Sequence, residues 1–263
     1  MRKNLIFLKL GGSLITDKAN TETALPEVIL ALLSDLARFL EQNPDTKILL
    51  GHGSGSFGHH AAAKFNTRLG VNTTEDWLGF RQVWESARRL NQIVLDIGRL
   101  AGLALMAFPP SASLLSSHGQ VVEWNTKPLA SALDNRLIPV IYGDVVFDQA
   151  LGGTIFSTEE LFSYLANELR PSRILLVGKE PAVFSDFPTN LEPIAHISRS
   201  ADLERYLQPS QDQDVTGGMR SKVAHMQSIC QSTPGLSVEI FRASQPGELF
   251  EALSGHHSGT IIS

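Results

Sequence analysis

Cysteine is nearly absent. Cys230 alone serves 263 residues, so no internal disulfide is available and stability has to come from burial. It falls within an expected amphipathic helix and reads as a small buried hydrophobe. Clustered positive charge is also lacking. The 22 Lys and Arg are outnumbered by 27 Asp and Glu, leaving a formal charge of −5, and the cations are spread thinly. That excludes the counterion-releasing surface a nucleic-acid partner needs. No apolar run reaches membrane-spanning length, and the stretch after Arg2 and Lys3 turns strand-like and meets Lys9, so neither a membrane contact nor a signal peptide is expected. The resulting expectation is a cytoplasmic protein. Internal repeats and low-complexity tracts are missing as well. What remains is an ordinary globular composition, 43% apolar, with ample material for a well-buried core.

The dominant feature is Gly51-His52-Gly53-Ser54-Gly55-Ser56-Phe57-Gly58-His59-His60, which follows the apolar strand candidate Ile48-Leu49-Leu50 and runs into the helix-forming Ala61-Ala62-Ala63-Lys64. A strand emptying into glycines and then a helix makes an anion cradle, because the backbone can approach a phosphate and the helix presents its positive end. A second glycine turn, Gly11-Gly12-Ser13, ends the first strand, Leu5 to Leu10. A third, Asp214-Val215-Thr216-Gly217-Gly218-Met219, leads into a helix from Arg220 to Gln231. Helical periodicity predicts helices over Leu25 to Leu40, Thr73 to Leu100, Pro128 to Asn135, Thr158 to Leu169 and Pro246 to Leu253, with one or two helical turns over Asp202 to Leu207. Thr158 reads as the hydroxyl cap of its helix. Further strands are expected at Leu103 to Phe108, Leu137 to Tyr142, Arg173 to Val177, Ser237 to Phe241 and Gly259 to Ile262. Val121 to Trp124 reads as a short hairpin strand, Val145 to Phe147 and Gly152 to Phe156 as a hairpin around Gly152-Gly153, and Val183 to Ile197 as irregular. Strands alternating with helices mean an α/β fold, a three-layer αβα sandwich with a mainly parallel central sheet and ligands at the carboxyl ends of the strands. The expected organisation is a single domain over 1–263, with a substrate-side lobe at 1–170 and a nucleotide-side lobe at 171–263.

Each glycine turn carries or precedes a cation: Lys9 with Lys18, then His59 or His60, then Lys222. Lys9 interrupts a buried strand, where lysine is rare unless something anionic meets it. If the three strands are neighbours, the turns surround a polyphosphate, and phosphoryl transfer asks a protein mainly for positioning and charge neutralisation. Gly53 to Gly58 also spells G-x-G-x-x-G, but the acid expected about 20 residues on, at the end of the next strand, is replaced by Glu75 and Asp76 at the head of a helix, so a dinucleotide site is not supported. No Walker-type P-loop occurs either. Trp77, Phe80, Val83 and Trp84 read as core or as a pocket for an apolar ligand tail, and Arg81, Arg88 and Arg89 as a solvated face. His256-His257 reads as a solvent-exposed pair, not a metal site.

Lys9-Leu10-Gly11-Gly12-Ser13, the His52 to His59 turn, Gly143-Asp144-Val145-Val146, Tyr164 to Leu169 and Asp214 to Met219 resemble, in the same order, the amino acid kinase superfamily and within it the isopentenyl phosphate kinase family. The resemblance implies Mg-ATP-dependent phosphorylation of isopentenyl phosphate to isopentenyl diphosphate in isoprenoid biosynthesis, with ATP and Mg²⁺ required and a homodimer as the assembly. Carried over by motif, Lys9, Gly11 and Gly12 hold ATP phosphates, and Lys9 and Lys222 flank the transferred group. Lys18 lies near the phosphates, Ser54 and Gly55 lie between nucleotide and acceptor, and His59 binds the acceptor phosphate. Gly217 and Gly218 approach ATP. Three departures stand out. The family's Gly-Gly-Gly is here Gly53-Ser54-Gly55, which the turn absorbs only if Ser54 avoids positive φ. Its Thr-Asp-x-Asp-Gly becomes Gly178-Lys179-Glu180-Pro181-Ala182, placing Lys179 on the nucleotide side. Its Ser-Gly-Asp-Asp becomes Ser157-Thr158-Glu159-Glu160, so Glu159 is expected to orient the catalytic lysines, with Thr158 at the substrate. No protein ligand for the metal is identified. Rival expectations are a kinase for another small phosphate or a phosphonate such as fosfomycin, and a regulatory nucleotide-binding domain without catalysis.

Overall fold

The computed structural model describes residues 4–186, 189–203 and 218–263, without the side chains of residues 59–61, 63, 64 and 218. The chain begins with β1 (Leu5–Leu10), a one-turn α1 (Gly12–Ile15), α2 (Pro26–Gln42) and β2 (Lys47–His52), then α3 (Gly55–Phe65) and the long α4 (Thr74–Leu100). After β3 (Leu105–Ala107) come β4 (Leu114–Ser117), β5 (Gln120–Trp124), α5 (Lys127–Asp134), β6 (Ile138–Tyr142), β7 (Asp144–Asp148), β8 (Gly152–Phe156) and α6 (Thr158–Leu169). β9 (Arg173–Gly178), β10 (Val183–Phe184), β11 (Pro193–Ile194) and β12 (His196–Ile197) precede α7 (Gly218–Ser232), β13 (Ser237–Arg242), α8 (Glu248–Leu253) and β14 (Thr260–Ile262).

All six residues of β1 are buried, and their alternation explains the near-continuous apolar run. Leu5 and Phe7 face one core, while Ile6, Leu8 and Leu10 face the other. The main sheet runs β12-β14-β13-β9-β1-β2-β6-β3. β13, β9, β1, β2, β6 and β3 are mutually parallel, and β14 returns antiparallel beside β13 with β12 parallel to it. Ile29, Leu33 and Leu36 of α2, Leu90 and Val94 of α4 and Leu249 of α8 cover one face. Leu129 of α5, Phe162 and Leu165 of α6 and Val223 and Met226 of α7 cover the other. The three-layer αβα sandwich with its mainly parallel sheet is the architecture expected from the alternation of elements. Among the described residues no helix is long and apolar enough to cross a membrane.

The departures are local. β3 spans only three residues because Gly102, at φ +78°, and Pro109 bound it closely. β4 is a strand that the sequence pattern hides: it pairs with β5 around His118 and Gly119, whose φ values of +50° and +70° make a tight mirror-image turn. The β7–β8 connection turns at Gln149-Ala150-Leu151, with Gly152 already in the strand. Asp148 ties both turns together, accepting from the N–H groups of Gly119, Ala150 and Leu151 and from the Ser116 hydroxyl; against the upward push of burial these bonds hold its carboxyl down at about 2. The stretch expected to be irregular contains the β10–β11 hairpin and β12. Of the helical turns expected over Asp202 to Leu207, residues from 204 on lie outside the described residues.

Along α4, Phe80, Val83, Ala87, Leu90, Val94 and Ile97 are buried as the periodicity requires, but Leu100 is 76% exposed. Arg81, Arg88 and Arg89 lie on the exposed face, as expected, and each also has a neighbour there. Arg81 pairs with Glu85 at 2.6 Å, Arg88 lies over the Trp84 ring, and Arg89 pairs with Glu22. Cys230 is buried, and burial pushes its thiol up to about 11. His256 and His257 are exposed and meet Glu251 and Glu239, each at 2.8 Å.

Thr16 joins the first two glycine-turn helices. Its buried hydroxyl donates to the Gly12 carbonyl at 2.7 Å and accepts from the Ser56 N–H at 3.0 Å. Thr16→Val strands both partners and is expected to cost ~1–3 kcal/mol in urea unfolding, whereas Thr16→Ser retains most of the stability. Equal stability of the valine variant would show that the α1–α3 contact is held without this hydroxyl.

Candidate active site

Because β9, β1, β2 and β6 are parallel neighbours, their carboxyl ends open at one edge of the sheet. Lys9 is in register with Gly51 on one side and Leu176 on the other. There a cleft of about 300 Å³ is lined by both N-terminal glycine turns, by the first turn of α6, by Gly178 to Glu180 and by Met219 and Lys222 of α7. Brought together are Lys9, Gly11, Gly12, Lys18, Ser54, Gly55, Thr158, Glu159, Lys179 and Lys222.

The two glycine turns touch backbone to backbone. A Cβ at Gly12 would lie 2.4 Å from the Gly55 nitrogen, and one at Gly53 would lie 2.8 Å from the Gly12 nitrogen. Gly55 has φ +50°, a left-handed conformation that favours glycine, whereas Ser54 sits at φ −79° and so fits where the family has glycine. α1 and α3 therefore point their first turns, with N–H groups that no intrahelical acceptor can reach, at one space. Gly11 contributes differently from a donor. Its N–H is spent on the Val177 carbonyl at 2.8 Å, and a Cβ there would lie 2.7 Å from the same carbonyl oxygen, so glycine lets the end of β1 lie against β9.

Lys9 follows from the two periodicities that meet here. Phe7 of β1 packs on Phe162 of α6, with ring centroids 5.0 Å apart. Two residues further along the strand and three back along the helix, Lys9 meets Glu159 in a buried ion pair. Burial alone would push the Glu159 carboxyl up, but the charges of Lys9 and then Lys222 outweigh it and leave the group below its ordinary value. Glu159 thus faces both lysines while ionised. Lys18 and Lys179 are exposed at the rim, and with Lys9 and Lys222 they make four ammonium groups against two carboxylates, Glu159 and Glu180, on the lining. In a chain of net charge −5 this is a local reversal of sign suited to a polyanion.

One expectation is corrected here. The α6 cap is Ser157, whose hydroxyl accepts from the Glu160 N–H at 3.2 Å while the Glu160 carboxylate accepts from the Ser157 N–H at 2.7 Å. Thr158 lines the cleft but is buried, and its hydroxyl proton is donated to the His52 carbonyl at 2.7 Å. His59 lies in α3, but its side chain, that of His60, and all of Gly217 fall outside the described residues; Gly218 begins α7. Of the four apolar residues considered for a ligand tail, Phe80 and Val83 form a satellite cluster with Ala62, Val71 and Val145, with Trp84 and Ile155 packed against it. Ile155 also lines the cleft. Trp77 is 39% exposed and meets Phe80 edge-on and Phe147 at a tilt.

The sequence reading missed a buried polar group behind the cleft. His52 is fully buried, stacked on Tyr142, with Nδ1 3.2 Å from the Gly53 carbonyl and Nε2 3.2 Å from Asn91 Oδ1. Burial lowers its pKa, so the ring is neutral at physiological pH. Beside it Asp144 is wholly buried and accepts from the N–H groups of Ser111 at 3.2 Å and Val145 at 2.9 Å. A charged residue one glycine past the apolar strand Ile138 to Tyr142 was the available signal. Burial pushes the Asp144 carboxyl up to about 6 despite those bonds. A carboxyl raised in the folded state stabilises fully below its ordinary value of 3.8 and loses that contribution as pH rises through 6. Between pH 4 and 7, wild type is expected to lose on the order of 3 kcal/mol relative to Asp144→Asn, read as diverging urea midpoints. Parallel pH profiles would show that Asp144 is ionised at no unusual cost.

Comparison with known proteins is consistent with this geometry. The model of the amino acid kinase family matches residues 4–241. An isopentenyl phosphate kinase of Haloferax volcanii is 33% identical over 98% of this chain and 98% of its own length, and that of Methanothermobacter thermautotrophicus is 30% identical with the same coverage. A crystal structure described as isopentenyl phosphate kinase superposes with a TM-score of 0.83 at 26% identity, covering 98% of this chain and all of the other. With a family match over nearly the whole chain and relatives this similar from end to end, the chain belongs to the amino acid kinase family.

Proposed function

We propose that this kinase transfers the γ-phosphoryl group of ATP to isopentenyl phosphate, forming isopentenyl diphosphate and ADP. The observation that carries the reading is a lysine-lined glycine cleft adjoining a small apolar cluster through Ile155. The relatives named above carry the same activity in their names. An oxygen of the acceptor phosphate attacks the γ-phosphorus, the bond from that phosphorus to the β–γ bridging oxygen breaks, and ADP leaves with the electron pair. The acceptor dianion needs no general base. Lys9 and Lys222, held by Glu159, neutralise the moving phosphoryl group, and Lys18 meets it from the rim. The N–H groups around Gly12, Ser54 and Gly55 cradle phosphate oxygens, His59 binds the acceptor phosphate, and Lys179, Gly217 and Gly218 lie on the nucleotide side. In this reading residues 1–170 form the substrate lobe and 171–263 the nucleotide lobe of one domain, working as a cytoplasmic homodimer.

Magnesium fits as a companion of ATP and not as a resident ion. Among the described residues no group of three or more His, Cys, Asp or Glu converges on one point, and the cleft offers mainly ammonium groups. Mg²⁺ binds readily through phosphates and waters, and it would supply charge neutralisation on ATP.

Activity is tested by ADP formation with a series of alkyl phosphates from methyl to isopentenyl. Each added methylene is expected to raise kcat/KM by roughly fourfold if the tail is buried in the apolar cluster. Lys9→Ala and Lys222→Ala are each expected to lose on the order of 100-fold in kcat, and His59→Ala to raise the acceptor KM. A flat chain-length profile with turnover of a phosphonate such as fosfomycin would give the kinase a different acceptor. ATP binding without turnover of any acceptor would make the domain regulatory.

A further inference from the structure

Glu22 stands outside the cleft, yet it is built into the structure at some cost. It has φ +50°, a left-handed conformation unfavourable for a non-glycine residue. Its carboxylate is gripped by two residues of α4 one turn apart. Arg89 donates through Nε at 3.0 Å to one oxygen and through Nη2 to the other, and the Ser86 hydroxyl donates to that second oxygen as well. Arg89 Nη2 also reaches the Ser86 hydroxyl at 3.0 Å, closing a three-residue knot. Burial pushes the Glu22 carboxyl up, but Arg89 and Ser86 overcome it and hold the group ionised.

The loop that Glu22 anchors carries Lys18. Its ends are fixed where Thr16 bridges Ala24 and where the Leu25 N–H donates to the Ile15 carbonyl at 2.9 Å. Within it the Asp17 N–H donates to the Thr23 carbonyl at 2.8 Å, and the Asp17 carboxylate holds Ala19 and Asn20. On the α3 side the Glu22 N–H donates to the Ser56 carbonyl at 3.3 Å and the Thr23 N–H to the Ser56 hydroxyl at 3.2 Å. Lys18 itself is exposed at the cleft mouth, and among the described residues no carboxylate pairs with it. Its reach is therefore set by where the loop sits and not by a partner of its own ammonium group.

We propose that Glu22 is the positioning residue for Lys18: the carboxylate, clamped by Arg89 and Ser86, fixes the loop so that Lys18 stands over the phosphates. The clamp also ties the Lys18 loop to α4, the helix that supplies Phe80 and Val83 to the apolar cluster. The inference rests on the phosphate role given to Lys18 above. Small displacements of a charged group at a reacting centre are costly, about 100-fold for 1 Å in demanding cases.

The test is a double-mutant cycle on kcat with ATP and isopentenyl phosphate. Glu22→Gly removes the carboxylate while favouring the left-handed backbone, Glu22→Gln keeps an acceptor for Ser86, and each is combined with Lys18→Met. Thermal unfolding of every variant checks the fold. The expected result is a loss of roughly tenfold or more in kcat for Glu22→Gly, a smaller one for Glu22→Gln and little change in either KM. In the Lys18→Met background neither Glu22 change has a further effect, because the residue it positions is gone. Losses that multiply in the double variants, or full activity in Glu22→Gly, would overturn the positioning role while leaving Lys18 at the phosphates. Unchanged kcat in Lys18→Met alone would instead overturn the role of Lys18, and the inference with it.

Discussion

No side chain fits between Gly12 and the Gly53–Gly55 turn, and the cleft depends on that close approach. It requires β1 and β2 to be adjacent and in register, with Leu10 opposite His52, so that both strands empty at the same height. It brings the first turns of α1 and α3 to one point, and Thr16 then stitches them together. Polyphosphate binding of this kind needs many weak donors aimed before the ligand arrives, because reorganisation during transfer would forfeit the stabilisation. The rest of the sheet supplies the rigidity: Gly53 donates its N–H to the Leu10 carbonyl at 3.0 Å and Thr158 holds the His52 carbonyl.

Charge is the second constraint. An acidic chain gathers four lysines around one cleft, and one of them, Lys9, occupies a position in a wholly buried strand. A buried ammonium survives there only with a carboxylate beside it, and Glu159 is delivered by a helix whose start is held by the Ser157–Glu160 capping box and by the Arg68–Glu160 pair at 2.7 Å. The same carboxylate feels Lys222 from α7, so one acid faces two cations, one from β1 and one from α7.

Much of this was legible in the sequence because it is written in local signals. The apolar runs of β1 and β2, the capping patterns and the glycine turns are short-range features, and a lysine inside a buried strand is conspicuous. Less legible were features set by tertiary context. His118-Gly119 makes the kind of turn usually written Asn-Gly, so β4 passed unseen. Ser157 and Thr158 are both competent caps, and only the proximity of the His52 carbonyl assigns the threonine hydroxyl elsewhere. Arg89 looks like any solvated helix arginine until Glu22 is folded against it, and the positive φ of Glu22 has no signature in its residue type. His52 stands within a glycine motif, yet its burial depends on Asn91 and Tyr142, which lie 39 and 90 residues further along the chain.

Phosphoryl transfer from ATP to a phosphate acceptor at the lysine cleft can be observed directly. Phosphorus NMR of the purified protein with Mg-ATP and isopentenyl phosphate follows every phosphorus atom at once. Phosphoryl transfer replaces the acceptor's single monoester resonance with a coupled pair from a diphosphate, in step with ADP and without free phosphate. Growth of inorganic phosphate beside an unchanged acceptor resonance would contradict it.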